Sequence, residues 1–215
     1  MPEMPKRGRG RPKKQDAEKN DIRAQLVRSG IEILTAKGFS SMGLDELLER
    51  AGVPKGSFYY YFDSKEAYGL AVIAGYGEYF AKRLDRSLLR SDISPLQRLR
   101  NFIADGENGM MRHDFRRGCL VGNLGQEMGA THDVFREVLE DTLKDWEGRV
   151  AVCLEQARDQ GEIAADADCH SLATFFWIGW EGAVLRAKLV RSLAPMKQFA
   201  QVFFDHLPKR LTERG

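Results

Sequence analysis

Residues 38–65 read GFSSMGLDELLERAGVPKGSFYYYFDSK, and this stretch decides the fold. Residues 44–51 place Leu44, Leu47, Leu48 and Ala51 on one helical face and Asp45, Glu46, Glu49 and Arg50 on the other, and Gly52 ends the pattern. Pro54 suits the first turn of a further helix, where its missing N–H goes unused, and the spacing carries that helix to about Phe62. Asp63 and Ser64 then offer side-chain oxygens to cap a helix opening at Lys65. Two short helices joined by a glycine-containing turn form a helix-turn-helix unit. Its second helix opens Pro-Lys-Gly-Ser, so unpaired backbone N–H groups and the positive end of the helix dipole face a phosphate oxygen. Five consecutive aromatic residues cannot all point inward, because each helical step turns by ~100°. Phe58 and Phe62 are assigned to the core against Leu44, Leu47 and Leu48; Tyr59, Tyr60 and Tyr61, with Ser57, supply outward hydroxyls beside Lys55, and Gly56 allows close approach to a duplex.

Working outward, helical spacing continues on both sides and no alternating strand pattern occurs, which predicts an all-α chain. Before the unit, Ile22, Leu26, Val27, Gly30, Ile31 and Leu34 recur at helical steps over residues 16–37, and Gly38 stops them. After it, helices are expected over about 65–90, 95–113, 118–129, 133–160, 168–192 and 196–211, the 118–129 segment being glycine-rich and loosely packed. The expected organisation is a flexible basic arm over 1–15, a DNA-binding helix-turn-helix domain of three helices over 16–63, and a second helical domain over 64–215.

The net charge of +2 averages over an uneven chain of 215 residues. Residues 6–14 read KRGRGRPKK, without an acid among them, a run that repels itself into an extended arm. By itself it reads as a solubilising tail, but Arg9-Gly10-Arg11-Pro12 is similar to an AT-hook core, which would place Arg9 and Arg11 in a narrow minor groove. Cys119, Cys153 and Cys169 are far apart and form no metal-ligand or disulfide pattern, which fits a reducing cytoplasm; no metal and no cofactor are expected. No apolar run approaches a membrane span, because the strongest candidate, residues 172–185, is short and carries Glu181. The four histidines sit in no ligand spacing, and neither a nucleophile elbow nor a phosphate-binding loop occurs, so an enzyme is not expected.

The combination of Ala51-Gly52-Val53, Lys55-Gly56, the aromatic helix and Ser64-Lys65 resembles the TetR family of transcriptional repressors, most specifically over residues 25–70. Carried over position by position, that resemblance makes Lys55, Ser57, Tyr59, Tyr60 and Lys65 contacts to phosphates of double-stranded operator DNA and sets Gly56 near a base edge. Two positions depart from the family pattern: Gly43 stands where a capping threonine is usual, and Tyr61 where a histidine is frequent, leaving a hydroxyl donor. Phosphate contacts read little sequence, so specificity requires pairing two half-sites of a palindrome through a homodimer. The resemblance places that interface on the last two helices, around Leu172, Phe175, Phe176, Ile178, Gly179, Ala183 and Leu185, then Phe199, Val202, Phe203 and Leu207; their alternative is monomer core.

Residues 116–129 and 177–188 combine polar groups with small residues in an otherwise apolar half, and they resemble the branch of the family that answers acrylate and electrophiles. The resemblance implies a small-molecule inducer, an acrylate-like acid or an electrophile, held by Arg117, Cys119, Asn123, Trp177, Trp180, Glu181 and Lys188. In that reading Lys188, or Arg116 or Arg117, lowers the pKa of the Cys119 thiol and holds a carboxylate, while the two tryptophans form apolar walls. The competing reading makes Cys119 a small buried hydrophobe and both tryptophans core, as Cys153 and Cys169 are assigned to packing. An architectural or activating DNA-binding protein without an inducer is the functional alternative.

Overall fold

The computed structural model describes residues 14–209, with side chains from Glu18 onward. Arg9 and Arg11 and the rest of the basic arm therefore lie outside the described residues. Nine α-helices and no strand occur among those described: α1 (Lys14–Lys37), α2 (Leu44–Arg50), α3 (Phe58–Tyr61), α4 (Lys65–Leu88), α5 (Pro95–Arg112), α6 (Leu120–Met128), α7 (Asp133–Asp159), α8 (Cys169–Val190) and α9 (Ala194–Asp205).

The helix ends follow the local chemistry. Ser64 Oγ accepts the N–H of Ala67 at 2.9 Å to cap α4, Asp168 accepts that of Ser171 at 3.0 Å to cap α8, and Gly38, Gly52 and Gly161 take the left-handed φ that ends their helices. Gly43 opens α2 with no side-chain cap, as its missing hydroxyl requires. The second helix of the helix-turn-helix is shorter than the spacing predicts. It covers only Phe58–Tyr61, because Gly56 adopts φ +83° and turns residues 54–57 out of helical geometry. The expected helix start at Pro54, with its dipole, is replaced by a turn in which Ser57 donates both its N–H and its Oγ–H to the Pro54 carbonyl, at 3.2 and 2.7 Å. The last helix likewise ends at Asp205 rather than near Leu211.

α1 to α3 pack as one unit around Leu26, Leu47, Leu48, Phe58 and Phe62, all buried. Truncating a ring such as Phe58 to alanine there costs about 3–5 kcal/mol. The start of α4 is locked to this unit by Tyr68, whose hydroxyl donates to the Leu26 carbonyl at 2.9 Å and occupies the space a side chain at Gly30 would fill. Beyond it α4 runs into the second half, where α7 packs on both α4 and α8, and α9 packs on α8. The centre of this half is aromatic: the Trp146 ring lies 4.3 Å from Phe80 and 5.2 Å from Trp177. Arg98, the one buried cation among the described residues, is satisfied by the Leu88 carbonyl at the end of α4, the Ile93 carbonyl in the α4–α5 loop and Gln156 of α7. α6 is not loosely packed as its glycines imply, since Leu120, Val121, Leu124 and Met128 are all buried.

Candidate functional site

Two sites emerge, one on the helix-turn-helix and one inside the second half. On the first, Phe58 and Phe62 point inward, and Tyr59 and Tyr60 stand out with 65% and 64% of their surface exposed. Lys55 is exposed too, its ammonium 3.9 Å from Asp45, a solvent-screened pair of little strength. A side chain at Gly56 would meet nothing, so the surface there is open. Lys19 of α1 sits 4.4 Å over the Tyr60 ring, which adds a cation that sequence reasoning did not single out. Tyr61 and Lys65 are placed differently from Tyr59 and Tyr60. Tyr61 is half-buried, packed against the core and edge-on to Tyr60, and Lys65 holds its ammonium 5.0 Å over the Phe39 ring in the α1–α2 loop.

The second site is a cavity of about 390 Å³ enclosed by α4, α5, the α5–α6 loop and α8. Its buried walls are aromatic, formed by Tyr76, Phe80, Phe102 and Trp180, and Gly106 makes room for the Trp180 indole, which a Cβ there would meet at 2.6 Å. Arginines surround it: Arg83 bonds Asp105 at 2.6 Å, Arg117 lies 3.7 Å from Glu32, and the exposed Arg86 and Arg112 have no ion-pair partner among the described residues. Their field is visible at His113, whose pKa is pushed down, first by burial and then by Arg117 and Arg112. Arg83, Arg86 and Arg112 are invisible as a group in the sequence, because α4 and α5 bring them together only after folding.

Of the inducer-site residues expected from sequence, Arg117, Cys119, Trp180 and Glu181 line this cavity. Asn123 and Lys188 lie beyond it, around a small recess on the far side of Cys119 and Glu181. Trp177 does not line the cavity at all. It is buried in the aromatic core, because α8 turns that face towards Trp146 of α7.

The expected acidic thiol is also corrected. Cys119 is buried, with Tyr76 Oη at 3.9 Å and Glu181 beside it, while Arg116 pairs instead with Asp114. Burial first, and then the Glu181 carboxyl, push the thiol pKa well above its ordinary value. Glu181 itself is raised to about 7, by burial, with the Cys119 thiol acting in the opposite direction. As a residue Glu181 is partly buried, but its Oε1 is shut off from solvent and lacks a hydrogen-bond partner. The carboxyl rests on the backbone of Gly122 in α6, in the space a side chain there would need.

α6 connects the two sites. Cys119 stands at its start on the cavity, and at its other end Glu127 accepts the backbone N–H groups of Phe39 and Ser40 at 2.7 and 2.6 Å. Between them Asn123 Nδ2 donates to the Thr35 carbonyl at 3.0 Å. Asn123 thus ties α6 to α1 instead of facing a ligand in the cavity. A Cβ at Gly38 would meet the Glu127 carboxylate at 2.5 Å, so the loop glycine also makes this contact possible.

A helix-turn-helix on three N-terminal helices, joined through a long α4 to a helical half with a cavity, defines a helix-turn-helix regulator. Residues 26–70 match the bacterial regulatory proteins of the tetR family, and residues 95–203 match the tetracyclin repressor-like C-terminal domain. The chain belongs to the TetR family. It is 49% identical to the transcriptional regulator AcuR of Cereibacter sphaeroides over 99% of this chain and 96% of that one. It is 30% identical to the HTH-type transcriptional repressor NemR of Escherichia coli, over 83% of this chain and 89% of NemR. A crystal structure of a regulatory protein TetR from Rhodobacter sphaeroides superposes with a TM-score of 0.82 at 52% identity, covering 86% of this chain and 98% of that one. These relatives are regulators rather than enzymes, and no described helix is long and apolar enough to cross a membrane.

Proposed function

We propose that this chain is a transcriptional repressor that binds a palindromic operator as a homodimer and is released by a small molecule held in the cavity beside Cys119. Residues 16–63 are the DNA-binding domain, residues 64–215 the ligand-binding and dimerisation domain, and residues 1–15 a basic arm. Lys55, Ser57, Tyr59 and Tyr60 contact phosphates, with Gly56 against the groove; the half-buried Tyr61 and Lys65 stand at the margin of that surface. In this reading the inducer is a small unsaturated acid or an electrophile, the class that the family resemblance of residues 116–129 and 177–188 suggests.

The observation that carries this reading is the double attachment of α6. One helix supplies a wall of the cavity at Cys119 and grips the DNA-binding unit at Phe39 and Ser40 through Glu127. A ligand that displaces the start of α6 pulls on the helix-turn-helix, and it weakens DNA binding to the extent that it favours the displaced arrangement.

The test is operator binding by fluorescence anisotropy, using DNA from the region upstream of the protein's own gene, with acrylate or N-ethylmaleimide, for wild type and Cys119→Ser. Release by acrylate in both proteins marks reversible binding, and release by N-ethylmaleimide in wild type alone marks the thiol as the sensing group. No release by any small molecule, with intact operator binding, would leave the architectural or activating alternative standing.

A further inference from the structure

The cavity has room well beyond what the smallest unsaturated acids fill, and its charged and apolar groups are segregated along it. A three-carbon acid has the bulk of about three or four water molecules, on the order of 100 Å³, whereas a volume of about 390 Å³ is available here. Pockets of roughly 300–1,000 Å³ are those that enclose drug-sized organic molecules.

Exposure orders the lining from mouth to floor. Arg86 and Arg112 are exposed and unpaired among the described residues, and Arg83 and Arg117 are half-buried behind them. Asp105 pairs with Arg83 and Glu32 lies beside Arg117, so the four arginines leave the entrance with a net positive charge. Next come the buried rings of Phe80, Phe102 and Trp180, whose faces suit a flat apolar body. At the floor stands Glu181, which lines the cavity and whose buried Oε1 has no hydrogen-bond partner among the described residues, next to the Tyr76 phenol. A buried polar atom without a partner is costly, and a ligand atom that bonds it removes that cost.

We propose that this cavity takes a substituted aromatic monocarboxylic acid: its carboxylate on the arginine ring at the mouth, its ring against Phe80, Phe102 and Trp180, and a hydroxyl or carbonyl substituent on the far side bonding Glu181. The proposal rests on reading the cavity as the inducer site and specifies the acid of that reading as a longer, two-ended one. Guanidinium groups favour a carboxylate because they meet it with paired, charge-assisted bonds.

The experiment is titration calorimetry on the full-length chain with 4-hydroxycinnamate, cinnamate, 4-hydroxycinnamamide and acrylate, with operator release followed in parallel. 4-Hydroxycinnamate is expected to bind at least 100-fold more tightly than acrylate and at least tenfold more tightly than its amide. Arg112→Gln, at an exposed and unpaired position, is expected to weaken the acid at least fivefold and leave the amide unchanged. Glu181→Gln should narrow the gap between the hydroxylated and plain acids. Acrylate binding as well as the aryl acid, or the amide matching the acid, overturns the proposal. Acrylate binding and releasing DNA while the aryl acids do neither leaves the repressor reading intact and removes this one. Aryl-acid binding without release upholds the site and removes its inducer role, and failure of all four to bind or release removes both.

Discussion

Glu127 in α6 accepts the backbone N–H of Phe39 at 2.7 Å, a bond spanning 88 residues that fastens the C-terminal half to the loop between α1 and α2. Its second oxygen takes the neighbouring Ser40 N–H, so the carboxylate is used as a two-pronged acceptor. Burial raises its pKa, but the bonds from Ser40 and Phe39 prevail and hold it below the ordinary glutamate value. Hydrogen bonds to a charged group contribute about 1.5–3 kcal/mol. In Glu127→Gln one oxygen is exchanged for an NH₂ that faces an N–H donor, so one bond is lost. The expected outcome is a thermal midpoint lowered by several degrees and, more specifically, a smaller ratio of operator affinities without and with inducer. A variant that is less stable yet fully inducible would show that this latch holds the fold and carries no signal. Because the pKa is depressed, the contribution of the latch persists through neutral pH and is lost only as pH falls below the ordinary glutamate range.

Glu181 gives a pH dependence of the opposite sign. It faces Cys119 at the start of α6 and Tyr76 of α4, with Lys188 of its own helix around the recess behind it. In the unfolded chain the carboxyl ionises near 4.5, and in the folded chain at about 7. Between those values the folded state holds the extra proton, so stability falls as pH rises through the window and the loss is complete above the folded value. The full span corresponds to about 3 kcal/mol. Urea unfolding at pH 5 and pH 8 should show this decline in wild type and a much flatter response in Glu181→Gln. An equal decline in both proteins would place the titrating group elsewhere.

The helix-turn-helix was legible in sequence because its signals are local: spacing separates Phe58 and Phe62 from Tyr59 and Tyr60, and Gly52 and Ser64 mark helix ends within one turn. Where the reading failed, the cause was longer in range. Spacing puts Gly56 inside a helix from Pro54 to about Phe62, as the point of close approach to a duplex, and only the backbone shows that its positive φ shortens α3. Trp177 and Trp180 lie three residues apart on α8, yet one faces Trp146 and the other the cavity, a distinction set by how α7 and α5 pack on that helix. The Glu127 latch left no trace in the pattern, because its partners are backbone N–H groups that every residue but proline possesses. The charge around Cys119 was misjudged for a similar reason: Lys188 is near in helix register, but Glu181 turns inward over Gly122 and stands nearer the thiol.

Lys55 tests the DNA surface without disturbing the fold, since its side chain is 74% exposed. Each phosphate contact on duplex DNA contributes about 0.9 to the slope of log affinity against log salt concentration. Lys55→Ala should lower that slope by about this amount and weaken operator and unrelated DNA by the same factor, as measured by anisotropy between 50 and 200 mM salt (roughly the range where such contacts dominate). Tyr60→Phe removes only a hydroxyl and should weaken binding by a smaller factor at all salt concentrations. Loss of operator preference in Lys55→Ala, with unrelated DNA bound normally, would instead assign Lys55 to base reading.

Phe175, Ile178 and Leu189 form an exposed apolar line along α8, continued by Val202 on α9, and Phe175 and Val202 also line a groove of about 570 Å³ between the two helices. By contrast Phe176, Ala183, Phe203 and Leu207, also expected at a dimer interface, are buried within the one chain. Gly179 lets α9 come close, since a Cβ there would run into the Phe199 ring, whereas Gly182 opens outward onto nothing. An apolar line of this length is unusual on a free surface, and two-fold pairing of α8 and α9 with their counterparts would cover it on both copies at once. Ile178 is 67% exposed in the single chain, so Ile178→Asp should leave the fold within about 0.5 kcal/mol of wild type. In a dimer the same change sets a charge from each copy into the apolar seam, where desolvation is costly. Sedimentation velocity should then show dimers in wild type and monomers in the variant, and operator affinity should fall with the dimer because one subunit reaches one half-site. A variant that still sediments as a dimer would move the interface off this face and leave the apolar line without a partner.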